Sequence, residues 1–184
     1  MGKSCRPWHF PILFCFLAAL LLAPLHDRAR AQGGEYRVKA AFLLQFVKFA
    51  EWPPAALPAE NDTLTLCVLG ENPFGESLDD LKGKSAGGKR ISVRHVPPVQ
   101  NAKGCHLLFI SASEKGRLGP ILKAIESVPL LTVGDTEGFA QKGVMINMYL
   151  EDQRVRFEVN LQAVKRSGVR LDSRLLNLAR IVQE

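Results

Sequence analysis

Few side chains in this sequence suit bond-making chemistry. Beyond residue 32 the histidines are His95 and His106, and neither has metal-ligand spacing. Ser111 and Ser113 follow an apolar run, as active-site serines often do, but neither sits in a G-x-S-x-G elbow. Two glycine-bounded stretches have phosphate-loop spacing. In Gly83-x4-Gly88-Lys89 the next residue is Arg90, not the Ser or Thr that would hold magnesium, and the stretch leads into a strand pattern. In Gly70-x4-Gly75-Glu76-Ser77 a helix pattern does follow, but Glu76 sets a negative charge where lysine should meet phosphate. That turn could hold some other small group. No catalytic residue, metal or cofactor is expected.

Other residues suit contact better than catalysis. Glu158 stands in Arg156-Phe157-Glu158-Val159-Asn160, between apolar neighbours and on the same strand face as Arg156 and Asn160. It is either an exposed ion pair with Arg156 or a polar group lining a partner or ligand site. Arg166, Arg170 and Arg174 cluster in the chain, and arginine is enriched at interfaces. Trp52 either seals a core or anchors a partner. Cys67 and Cys105 are the cysteines left once Cys5 and Cys15 depart with an exported leader. They form one disulfide or stay as two buried thiols.

The leader is read from the N-terminus. Lys3 and Arg6 precede the apolar run Ile12–Leu25, and Ala29-Arg30-Ala31 follows as a small-residue cleavage site. This is the order of a secretory signal peptide, and the run is shorter than the roughly 20 residues that span a bilayer. Residues 1–31 are therefore expected to be removed on export to the periplasm, leaving one domain over residues 32–184. No cysteine directly follows the run to take a lipid. Losing Lys3, Arg6, Asp27, Arg28 and Arg30 lowers the net charge from +6 to +3. So small an excess gives no case for nucleic acid.

The elements that must position these residues alternate in type. The spacing predicts a helix over Glu35–Glu51, with stripes at Tyr36, Ala40, Leu43, Val47, Ala50 and at Val38, Phe42, Phe46, Phe49, wider than a one-sided helix needs. Strands are expected at Thr63–Leu69, Ile91–Val96, His106–Ser111 and Leu130–Val133, with helices at Phe74–Leu81 and Glu114–Ser127. Val144–Leu150 and Arg154–Asn160 read as a hairpin. Leu161–Ser167 and Ser173–Val182 read as closing helices. The fold class is α/β: a single domain, a largely parallel sheet with helices on both faces, and an antiparallel C-terminal hairpin at one edge. In a doubly wound order such as 2-1-3-4-5, the strands of Cys67 and Cys105 are neighbours.

A resemblance rests on three stretches. Residues Tyr36 to Pro53 (YRVKAAFLLQFVKFAEWP) resemble the opening signature of the YfiR-like family. Gly143-Val144-Met145-Ile146-Asn147 resembles its late strand. Phe157-Glu158-Val159-Asn160-Leu161 and the segment Ser167 to Arg180 resemble its close. The resemblance implies a periplasmic repressor that binds the periplasmic region of an inner-membrane diguanylate cyclase, lowering cyclic-di-GMP and biofilm formation. It implies release by an outer-membrane, peptidoglycan-associated lipoprotein, and a homodimer. It marks Ile146, Glu158 and Val164 as a sensitive patch, Arg170 as a lipoprotein contact, and Cys67 with Cys105 as a redox-linked pair. The family pattern also has a second disulfide across the late hairpin, but Val144–Asn160 contains no cysteine. Two other classes remain: a periplasmic small-ligand sensor with its pocket near Ile146, Glu158 and Val164, and a hydrolase using Ser111 or Ser113.

Overall fold

A computed structural model describes residues 33–57, 62–96 and 99–183, so the leader and its cleavage site lie outside the described residues. The chain divides into a unit of residues 1–35 and one of residues 36–184, and the second carries everything below. In chain order the described elements are α1 (33–48, in this unit from Tyr36 onward), β1 (Ala50–Glu51), β2 (Thr63–Leu69), α2 (Glu76–Asp79), β3 (Ser85–Ala86) and β4 (Lys89–His95). β5 (Leu107–Ile110), α3 (Leu118–Ala124), β6 (Leu131–Gly134), β7 (Ile146–Glu151) and β8 (Arg154–Asn160) follow. The chain closes with α4 (Leu161–Ser167), β9 (Arg170–Leu171), α5 (Ser173–Leu176) and β10 (Arg180–Val182).

Eight strands form one sheet in the order β10-β8-β7-β6-β5-β2-β4-β3. The inner run β4-β2-β5-β6-β7 is parallel, β7–β8 is the antiparallel hairpin, and β5 sits at the centre with all four residues sealed from solvent. Apolar side chains without alternation suit a strand covered on both faces. On one face Leu66, Val68, Leu107, Phe109 and Val133 pack with Leu43, Phe46 and Val47 of α1 and Val164 of α4. On the other, Leu69, Leu108 and Ile110 pack with Leu118 and Ile121 of α3 and with Phe139. The α/β class and the 2-1-3-4-5 order of the parallel strands are as the alternation of elements implies.

Several elements differ from the sequence reading. α1 ends at residue 48, and Ala50–Glu51 turn extended to pair antiparallel with β9. Pro53-Pro54 favours that, because a residue before proline is driven out of the helical region. The expected helix Phe74–Leu81 is only the four residues of α2. Glu114–Ser127 becomes a 3-10 turn over Ala112–Arg117 followed by α3. Pro120 explains the break: it has no N–H for the residue 116 carbonyl, so it fits only a first helical turn.

The largest correction concerns the end of the chain. Ser173–Val182 is not one helix: α5 stops at Leu176, and Arg180–Val182 form β10, parallel to β8. Ile181 and Val182 are β-branched, and the outer backbone edge of β8 needs partners. The hairpin lies at one edge of the sheet as expected, with the short β10 added as one more strand outside it. Asn160 closes β8 and caps α4, accepting from the Ala163 N–H at 2.9 Å and donating to the Ala140 carbonyl at 2.7 Å.

Candidate functional site

Strand pleating decides where the candidate patch lies. Neighbouring residues in a strand point to opposite faces. Ile146 pairs across the hairpin with Val159, and both join the core cluster that holds Val164. Asn147 pairs with Glu158 on the other face. Ile146 and Val164 are buried apolar packing, and Glu158 is separated from them by the sheet.

Glu158 is only 3% exposed, and its partner is not Arg156, which lies 3.7 Å from Glu151. Asn147 Nδ2 donates to Oε1 at 3.2 Å. Arg180 Nε and Nη2 donate to Oε2 at 3.2 and 2.6 Å. The Arg180 guanidinium also stacks over the Tyr149 ring, 4.3 Å from its centroid. Hydrogen bonding to Glu158 raises the Arg180 pKa further above its ordinary range. Glu158 thus clasps β10 to the hairpin. Neither Arg180 nor Asn147 stands out as its partner in the sequence; the β-branched pair Ile181-Val182 is the one strand signal, and two residues carry it weakly.

The exposed charges gather elsewhere, on the β1–β9 ribbon. Arg170 is on β9, not in a loop; its side chain is 83% exposed and Nε lies 3.7 Å from Glu51 Oε2. Asp172 caps α5, accepting from the Arg174 backbone N–H at 2.8 Å and from its Nη2 at 2.8 Å. Those bonds to Arg174 hold the Asp172 carboxyl down at about 2. Arg174 in turn lies over Phe49, 5.0 Å from the ring centroid. Arg170 lies on this ribbon and Arg174 just beyond it in α5; Arg166 belongs to a cavity between α3 and α4.

Trp52 lies beyond β1 and is half-buried. Its Nε1 donates to the His106 carbonyl at 3.0 Å, and its ring meets the His106 ring edge-on at 6.0 Å. That is a sealing role. His106 accepts from the Thr65 N–H on Nδ1 at 2.9 Å, and a backbone bond at Ala56 engages it as well. Burial lowers its pKa below the usual value, which favours the neutral ring. The unfolded chain therefore binds the proton more readily, and stability falls as pH drops below about 6.5. Urea midpoints measured between pH 7.5 and 5 should fall, and His106→Gln should flatten that slope.

The serines are engaged too. Ser113 Oγ accepts from the Glu71 N–H at 2.9 Å, and Ser111 is buried at the start of the 3-10 turn. A ligand at a doubly wound sheet is expected outside the carboxyl ends of its strands, where the order reverses, here between β2 and β5. Gly70 follows β2 at that point, its backbone close against Ser113 and Glu114. Its φ is +87°, and a Cβ there would stand 2.4 Å from Ser113 Oγ. The glycine-bounded turn is packed against Ser113 instead of cradling a group. Among the described residues, no cluster of three or more His, Cys, Asp or Glu could hold a metal, and no helix is long and apolar enough to cross a membrane.

The cysteines are bonded. Cys67 in β2 and Cys105 just before β5 form a disulfide, with Cα atoms 5.9 Å apart. Adjacent strands β2 and β5 bring them together. Arg94 of β4 reaches over the bridge, Nη2 lying 3.2 Å from Cys105 Sγ and donating to the Lys103 carbonyl at 2.8 Å.

One buried pair escaped the sequence reading altogether. Lys39 Nζ lies 2.7 Å from Asp135 Oδ2, with both side chains almost sealed from solvent, and 4.5 Å from the centroid of the Tyr36 ring. The signal was a lysine lying between Tyr36 and Ala40 of an apolar stripe.

Solved structures with some likeness include an L-Trp-bound ABC domain from Streptococcus pneumonia, 9% identical with a TM-score of 0.47, over 76% of this chain and 61% of that one. A conserved domain protein from Vibrio cholerae O1 biovar El Tor is 10% identical with a TM-score of 0.47, over 71% and 57%. This chain spans about three fifths of the length of each. Likeness at that level carries neither fold nor function. The sequence pattern of the YfiR/HmsC-like family (DUF4154), in contrast, matches residues 36–180, and the chain belongs to that family.

Proposed function

We propose that this chain is a periplasmic repressor that binds the sensor region of an inner-membrane diguanylate cyclase and holds it inactive. Membership of a regulatory, non-catalytic family linked to cyclic-di-GMP signalling, over residues 36–180, is the observation that carries this reading. The state of the candidate groups supports it: His106 and Ser113 are committed to backbone hydrogen bonds, while Arg170, in a wide and exposed ion pair with Glu51, presents its side chain to a partner. Repression needs preference for one state of the cyclase and not affinity alone. An outer-membrane, peptidoglycan-associated lipoprotein sequesters the repressor through the face that carries Arg170, and the repressor acts as a homodimer. Ile146, Val164 and Glu158 act from inside, by holding the hairpin and β10 in place. Trp52 acts likewise, by fixing the strand that leads into the ribbon.

Deleting the gene should raise cellular cyclic-di-GMP several-fold, and the wild-type chain should restore it. Arg170→Glu should weaken lipoprotein binding about tenfold, or about 1.4 kcal/mol, while repression persists. An unchanged cyclic-di-GMP level with an intact cyclase would sink the repressor reading.

A further inference from the structure

β6 and β7 are adjacent but barely paired. They share only two registers, Val133 with Ile146 and Gly134 with Asn147. Towards their amino ends they part, and a side chain spans the gap: Thr132 Oγ1 accepts from the Met145 N–H at 3.0 Å. The parting leaves a cavity of about 330 Å³ between the end of α3 and α4. Leu130, Thr132 and Met145, all buried, belong to its wall, with Leu122 of α3 beside them. The exposed side chains of Lys123, Lys142 and Arg166 rim it, against the single acid Glu126.

Each of these cations also ends a helical segment, where a positive side chain offsets the backbone dipole. That does not account for the convergence. All three segments are short, seven, three and seven residues, so their dipoles are small. Yet three cations from separate parts of the chain surround one hole with an apolar floor. The volume is at the small end of ligand pockets, and an apolar lining with a few charged groups is the usual form of such sites.

We propose that this cavity binds a small amphipathic organic anion, its apolar body against Leu130, Leu122 and Met145 and its carboxylate or sulfonate among Lys123, Lys142 and Arg166. None of its lining residues belongs to the β1–β9 ribbon or to the Glu158 clasp. It does not depend on the repressor reading. It also moves the small-ligand alternative away from Ile146 and Val164, which are packed into the core.

The test uses 8-anilinonaphthalene-1-sulfonate and its uncharged counterpart N-phenyl-1-naphthylamine on the purified protein. The methionines report position: Met145 lies in the cavity wall, and Met148 is sealed in the core. In methyl NMR the sulfonate should bind with one-to-one saturation, shifting Met145 and leaving Met148 in place. Lys142→Glu with Arg166→Glu should weaken the sulfonate at least tenfold and the uncharged probe less than twofold. If that double variant fails to fold by circular dichroism, Lys142→Glu and Lys123→Glu singly should each cost the sulfonate about threefold. An unmoved Met145 methyl at saturation, or equal losses for both probes, would overturn the proposal.

Discussion

Asp135→Ala should lower the stability of this protein by about 3–5 kcal/mol, the usual cost of removing one partner from a buried ion pair. Lys39 and Asp135 have side-chain exposures of 5% and 3%, and 2.7 Å separates their charged atoms. Removing the carboxylate takes the counter-charge from a buried ammonium between α1 and the carboxyl end of β6, where water cannot easily reach it. Lys39→Met should cost a similar amount by stranding the carboxylate. The double variant Lys39→Met/Asp135→Leu should cost less than either single change, because apolar groups of similar size can replace a buried pair almost without loss. Urea unfolding of the four proteins at pH 7 gives the coupling directly. A loss below about 1 kcal/mol in Asp135→Ala would mean that water reaches the pair. The pair ties α1, which carries the long opening signature of the family, to the sheet. The same destabilised variant should therefore also lose repression.

The parts of the fold that were legible are those set by long patterns. Alternating strands and helices implied the parallel order, and that order made Cys67 and Cys105 neighbours, as they are. The features that escaped depend on short segments or on burial. Arg180-Ile181-Val182 is too brief to show a period, and it continues the helical spacing of the segment before it. Without β10, Glu158 reads as an edge residue with Arg156 for company; with β10 in place it is a buried clasp. Along β8, Arg154 and Arg156 keep their face open to water. At Glu158 and Asn160 that face is covered, and periodicity carries no information about cover. The same limit hid Lys39. A lysine beside an apolar stripe reads as snorkelling to water until Asp135 is found at its tip. Patch residues quoted together, Ile146 with Glu158, separate for a simpler reason: odd spacing along and across a hairpin puts side chains on opposite faces.

Replacing Cys67 and Cys105 together by alanine should cost about 3–4 kcal/mol, the chain-entropy value for releasing a loop of this length. The bridge spans 38 residues and joins the core strand β2 to the entry of β5. Cys67 is wholly buried and Cys105 is 5% exposed. A reductant can reach these sulfurs only after local opening, so dithiothreitol should cleave the bond slowly in native buffer and much faster in urea near the midpoint. Arg94 sharpens the comparison. Its guanidinium contacts both sulfurs, at 3.8 and 3.2 Å, and a neighbouring cation favours thiolate over thiol. The reduced protein should therefore close the bridge again readily at neutral pH, and Arg94→Gln should slow that closure. These rates separate two roles for the pair. A bond that stays closed in native reductant is a staple for the binding-competent fold. A bond lost within minutes, without urea and without unfolding, is a switch, and the staple would have to be abandoned.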